Sequence, residues 1–333
     1  MDFKAVEGKG GITATVVADS INVQGDRLTT MTLQYPRYIH SEFLRHRMFS
    51  NSVSSSRAIP TDKMVDQVTS NPAMPVYWGK NQPGMSASEE EDELVHINGA
   101  YFPPDVAWKI ACDRSAEVAK EFAMAGYHKQ IVNRMVEPWQ FINQVVSATD
   151  YANFYHLRID SAAQPEIQEL ARVMHEAMDD SDPVTRRDSA HLPFITNKDR
   201  DRYDAFACIR ISMSMCAQQS YRKSDRSIEK ANVIYKKLVE SRPVHASPAE
   251  MVATPFSEEE YMARIRCRNA IYDDLINMSV AKHVARQSAD QFMYAGNYKG
   301  WRQARMHIED NTYKGIALDQ PDSADTLSLL RDV

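Results

Sequence analysis

The strongest constraint on how this chain can fold is the apolar spacing between Gln164 and Met178. Ile167, Leu170, Ala171 and Met174 recur at intervals of three and four and fall on one side of a helix, while Gln168, Glu169 and Arg172 face away. A helix with a single apolar stripe has to cover it against another layer. Upstream, residues 11–40 hold β-branched runs broken at Gly25 and Asp26. That pattern predicts a two-stranded hairpin with Pro36 near the end of its second strand. Helical spacing also runs from Pro104 to Met124 and from Glu137 to Tyr155. Two more helices are expected near 204–219 and 227–241, and another over roughly 257–290. The expected class is α+β, mainly helical with an antiparallel strand component. Residues 71–93, rich in Pro, Gly and acid, read as a long surface excursion. The organisation that follows is a first half over 1–178, a polar linker over 179–203, a second half over 204–316, and a loosely held acidic tail over 317–333.

Charge narrows the partners. The net charge is −6, so a nucleic-acid polymer is a poor default ligand, while a small anion needs only a local basic cluster. The four cysteines, Cys112, Cys208, Cys216 and Cys267, lack metal-ligand or disulfide-framework spacing. They predict no metal site and suit a reducing cytoplasm (that of a host, were the chain viral). The start of the chain lacks the pattern of a signal peptide, and no run approaches the ~18 apolar residues of a membrane span. A glycine-rich dinucleotide fingerprint is also absent from the sequence.

One segment concentrates chemistry. Arg45–Arg57 (RHRMFSNSVSSSR) packs three arginines, one histidine and five serines into thirteen residues. Guanidinium forks and short hydroxyl donors suit phosphate. A serine-rich surface loop is the alternative; the apolar neighbours Phe43, Leu44, Met48 and Phe49, read as a wall behind the charges, favour an anion site. Chemistry alone goes no further than that.

The same segment resembles the motif RHRxxSxNExSxR of the flavin-dependent thymidylate synthases, matching at Arg45, His46, Arg47, Ser50, Ser55 and Arg57. It departs at Ser52, where the family has Asn, and at Val53, where it has Glu. A second stretch, NFYHLRIDSAAQPEIQ at 153–168, is similar to the family's NFLxLRxDxxAQxEIQ, with Ala162 in place of the family's usual histidine. Without the resemblance, Arg158 would read as a salt bridge to Asp160 or Glu166. A third block, normally upstream, has its likeness after residue 209: CAQQSY, ANVIYKKLVES and VHASPAEMVATPF, with GNYKGWRQAR at 296–305 as a fainter echo. The likeness is thus to an extended, phage-like variant with permuted or duplicated blocks. Taken bare, VHASPAEM is a helix start, with Ser247 as N-cap and Glu250 closing a capping box.

The resemblance implies a homotetramer with sites at subunit contacts, binding FAD, dUMP and a folate. Arg158 would be catalytic, polarising the pyrimidine. Arg45, Arg47, Ser55, Arg57, Arg134 and Gln303 would hold substrate. Arg45, His46, Arg47, Ser50, Asn153, Ser220, His245, Ser247 and Glu250 would contact flavin. Methylene-tetrahydrofolate would donate carbon to dUMP and NADPH would supply electrons. No cysteine follows a proline, the usual setting of the thiolate in cysteine-dependent thymidylate synthases. Two other outcomes stay open: hydroxymethylation of dUMP or dCMP, and a non-catalytic nucleotide-binding protein.

Overall fold

The computed structural model describes residues 3–220, 224–242 and 244–308; the expected tail at 317–333 lies outside the described residues. The strands are β1 (Ala5–Glu7), β2 (Thr13–Asn22), β3 (Arg27–Pro36), β4 (Ser50–Val53), β5 (Val95–Ile97), β6 (Ala100–Phe102), β7 (Phe141–Ala148), β8 (Val184–Arg186), β9 (Ala253–Pro255), β10 (Tyr294–Ala295), β11 (Tyr298–Lys299) and β12 (Trp301–Gln303). The helices are α1 (His40–Phe43), α2 (Thr61–Ser70), α3 (Pro104–Met124), α4 (Lys129–Val132), α5 (Ala152–Arg158), α6 (Pro165–Asp179), α7 (Asn197–Arg202), α8 (Ala205–Ala217), α9 (Ile228–Leu238), α10 (Glu258–Asn277) and α11 (Lys282–Asp290). The fold is α+β, as expected. No helix among the described residues is long and apolar enough to cross a membrane.

A six-stranded sheet in the order β1-β2-β3-β7-β4 organises the molecule, with β8 parallel to β2 along the rest of that strand's outer edge. β2 and β3 form the expected hairpin. Its turn is fixed by Asn22, whose side-chain oxygen accepts from the amides of Gln24 and Asp26 at 3.0 and 2.8 Å.

On one face α6 buries Ile167, Leu170, Ala171 and Met174 against Met31, Leu33, Ile142 and Val146, so the stripe read from the sequence is the one used. Glu169 corrects that reading: it is buried rather than turned to solvent, accepting from the Lys9 amide at 2.8 Å and pairing with Arg172. On the opposite face Val17 and Val145 pack under α8 and α9 through Ile211, Met215, Cys216 and Ala231.

Two expectations need correction. Residues 141–148 are not helical but form β7, between β3 and β4. Ile142 and Val146 face α6 while Val145 faces α8, so both sides are apolar and the period of two that marks a half-exposed strand is hidden. The helix expected over 257–290 is two, α10 and α11; Ser279 takes a left-handed φ of 64° in the turn between them.

Two other regions position the site. The segment 179–203, read as a linker, contains β8 and α7 and buries Leu192 and Phe194. It also carries His191, fully buried between the Ser20 and Thr30 hydroxyls at 2.9 and 2.7 Å. Burial, and then the charges of Arg186 and Arg200, push the imidazole down to about 3. The excursion at 71–93 runs over the surface with one isolated bridge, Gly79 to Glu90. It is tied down where the Glu166 carboxylate accepts from the Val76 amide at 2.8 Å. α2, α3 and α4, inserted between β4 and β7, share a smaller core around Val65, Cys112 and Val132.

Candidate active site

The Arg45–Arg57 segment is held by its aromatic residues. Phe43, at the end of α1, and Phe49, just before β4, are buried together and meet Phe154 of α5 at ring separations of 5.7 and 5.3 Å. Anchoring those two rings turns the residues between them outward, so Arg45 and Arg47 are exposed. Leu44 and Met48 are exposed too, so only Phe43 and Phe49 form the expected apolar wall.

His46 stands between anchor and surface. Its ring meets Phe154 edge-on at 4.7 Å, and its Nε2 accepts a hydrogen bond from Arg158 Nε at 3.0 Å. Arg158, the last residue of α5, therefore reaches the first motif rather than Asp160 or Glu166. Two sequence blocks more than a hundred residues apart close on one point. Burial, and secondly the Arg158 charge, lower the pKa of His46. The imidazole is neutral near pH 7, and Arg158 as donor assigns its proton to Nδ1.

A buried polar cluster lies at the other end of the motif. Ser50 opens β4 opposite Ser147 of β7. Its Oγ accepts from Gln303 Nε2 at 2.8 Å, with Asn297 Nδ2 at 3.5 Å. Tyr298, wholly buried, donates to the Glu250 carbonyl at 2.7 Å, and burial raises its pKa well above that of a free phenol. The Glu250 carboxylate pairs with Arg305. The capping box read at Ser247–Glu250 is therefore not formed: these residues make a four-residue 3₁₀ turn without a side-chain cap, and the carboxylate is engaged elsewhere. His245 is exposed just ahead of that turn, and Ser247 is exposed at its first position. Ser220 closes the short turn Gln218–Ser220 after α8. Nearby, Ser52 Oγ donates to the Cys216 carbonyl at 2.9 Å.

The remaining candidates are more dispersed. Ser55 precedes the 3₁₀ turn Ser56–Ala58 and Arg57 is exposed on it. Arg134 is exposed and paired with Glu137 at 2.7 Å; its neighbour Asn133 donates to the Ser56 and Ile59 carbonyls. Asn153 is exposed on α5. Among the described residues no side-chain hydrogen bond or ion pair engages Arg45, Arg47 or Arg57. Arg27, Arg172, Arg226 and Arg268, by contrast, all reach carboxylates. Among the described residues no group of His, Cys, Asp or Glu is arranged to hold a metal ion.

Sequence reasoning missed Tyr298, Asn297 and Ser147. A tyrosine in a strand ordinarily reads as packing, and only the echo at 296–305 drew notice to its surroundings.

Residues 28–184 match the family model described as thymidylate synthase complementing protein. None of the curated proteins matches the chain. Two solved structures of the flavin-dependent thymidylate synthase from Helicobacter pylori, both complexed with FAD and dUMP, align at 16% identity over 45% of this chain and 67% of theirs. Their TM-score of 0.31 is a likeness too loose to locate residues. The matched segment contains both the Arg45–Arg57 and the 153–168 blocks. The match takes in slightly less than half of the chain, and over residues 28–184 the chain is similar to the thymidylate synthase complementing protein family.

Proposed function

We propose that the chain converts dUMP to dTMP by flavin-dependent methylation at carbon 5, with methylene-tetrahydrofolate as carbon donor and NADPH as reductant. What carries the reading is the meeting of Arg158 with His46 beside guanidiniums that have no side-chain partner among the described residues. Unpaired cations on an exposed face bind phosphate without first breaking an internal ion pair. Arg45, Arg47 and Arg57, with Ser55 and Arg134, are the candidates for the nucleotide phosphate, and Arg158 for the pyrimidine edge. There its fixed charge stabilises the negative charge that develops when the ring acts as a nucleophile.

The donor set also fits FAD. The diphosphate suits Arg45 and Arg47, and a flat heterocycle suits the neutral His46 ring and the amide of Asn153. Ser50, Gln303, Glu250, Ser247, His245 and Ser220 are the second group of proposed contacts. FAD, when bound, supplies the reducing chemistry; the protein's share is to align and hold the reactants. The exposed Leu44, Met48, Leu157 and Ile159 beside the motif suit a subunit contact, in keeping with a homotetramer. Three of the four cysteines, Cys112, Cys208 and Cys216, are buried with thiol pKa values raised chiefly by that burial, which disfavours them as nucleophiles, and Cys267 is exposed on α10.

One observation keeps a second product in view. Val53 packs against the core and Ser52 is engaged by Cys216, so neither offers a free group to the pyrimidine. Hydroxymethylation of dUMP or dCMP is the corresponding alternative.

Arg158→Ala tests the assignment. It is expected to lower turnover about 10²- to 10³-fold while FAD stays bound, read by flavin absorbance and single-turnover kinetics. Substantial methylation by that variant would show that another group activates the ring.

A further inference from the structure

Arg186 in β8 and Arg200 in α7 are half-buried, yet neither forms an ion pair among the described residues. The Nε atom of each is shut off from solvent without an acceptor. The Arg200 side chain uses one donor on the Ala190 carbonyl at 3.1 Å, whereas the Arg186 side chain makes no hydrogen bond among the described residues. Burial lowers the pKa of both, and at Arg186 the charge of Arg200 adds to it. Each guanidinium thus keeps a buried, unpartnered nitrogen in a partly dry setting, an arrangement that is costly without a counter-ion.

A cavity of about 400 Å³ opens at this point. Arg186, Thr196 and Asn197 give it a polar side, and Val184, Leu192 and Ile195 an apolar one; Arg200 lies one turn further along α7. Three carboxylates also line it. Asp19 is taken by Arg27, Asp180 lies 3.8 Å from Lys4, and Asp182 is exposed. None is within ion-pairing distance of either arginine. The cavity borders β2 and β8, whereas the Arg45–Arg57 motif runs into β4 at the opposite edge of the same sheet.

We propose that Arg186 and Arg200 form an oxyanion site, separate from the nucleotide face, for a small molecule carrying one anionic group on an apolar body. The paired guanidiniums recover a counter-ion, and the wall of Val184, Leu192 and Ile195 takes the apolar part. A phosphate monoester and a carboxylate share this chemistry, and the experiment separates them.

Calorimetric titrations would use the full chain carrying Arg45→Ala and Arg57→Ala, so that phosphate cannot report on the motif. The probes are phenyl phosphate, benzoate and inorganic phosphate. Phenyl phosphate is expected to bind more tightly than inorganic phosphate, and Arg186→Gln or Arg200→Gln to weaken it about tenfold or more. Tighter binding of benzoate than of phenyl phosphate, with the same dependence on both arginines, identifies the ligand as a carboxylate. Arg186→Lys keeps the charge but loses the fork; it reads the same dependence should a glutamine variant fail to fold, and is expected to bind more weakly than the parent. The proposal is overturned if no aromatic anion binds, or if binding is unchanged in the folded arginine variants. Either result leaves the flavin reading untouched, since that reading rests on residues at the other edge of the sheet.

Discussion

His46 accepts a hydrogen bond from Arg158 and can do so only while it is neutral. Protonation would set an imidazolium against a guanidinium within a partly buried site. The folded pKa therefore lies below the 6.5 of a free histidine. The sign follows directly: the stability linked to this contact is complete above pH 6.5 and is lost as the pH falls toward the depressed folded value. An NMR titration of the His46 ring should give a midpoint below 6.5, moving back toward 6.5 in Arg158→Ala. A midpoint at or above 6.5, or no change in the variant, would contradict the contact. Because burial is the larger cause, the variant should recover only part of the difference.

Among the elements, the β11–β12 turn ties the second half of the chain to the first. Trp301 Nε1 donates to the Asp26 carbonyl at 3.0 Å, and Asn22 Nδ2 donates to the Gly300 carbonyl at 3.1 Å. Gly300 sits at φ +73°, where a Cβ would come within 2.3 Å of Asp26 Oδ2 and 2.6 Å of Asn22 Nδ2. Both the backbone angle and the space demand glycine there. Gly300→Ala should cost about 1–3 kcal/mol in denaturant unfolding. It should also weaken flavin retention, because the same turn presents Tyr298 and Gln303 to Ser50. An unchanged unfolding midpoint would mean that the β2–β3 turn yields without cost and that the tie is not structural. The α10–α11 pair shows a different side of element formation. Its break at Ser279 carries no glycine or proline, so nothing local in the sequence marks it.

Across the whole molecule, legibility followed the number of faces an element buries. α6 was readable because one side is apolar and the other largely polar; only Glu169, buried by its bonds to Lys9 and Arg172, escaped the pattern. β7 was not readable because its two faces meet different helix layers. The first two site blocks were legible through their motifs, and their convergence at His46 and Arg158 needed the fold. The cluster of Ser50, Tyr298 and Gln303 joins β4 to the far end of the described chain, a contact that no local spacing encodes. Arg186 and Arg200 looked like members of a polar linker, since burial cannot be read from residue type. The proposed function spans these levels: blocks far apart in the chain, closed around one sheet, would serve a flavin enzyme acting on a uracil nucleotide. The most direct measurement is the mass of the product after the protein reconstituted with FAD is incubated anaerobically with dUMP, methylene-tetrahydrofolate and NADPH. The account predicts dTMP; a flavin-loaded protein that returns dUMP unchanged would contradict it, as would a protein that cannot take up FAD at all.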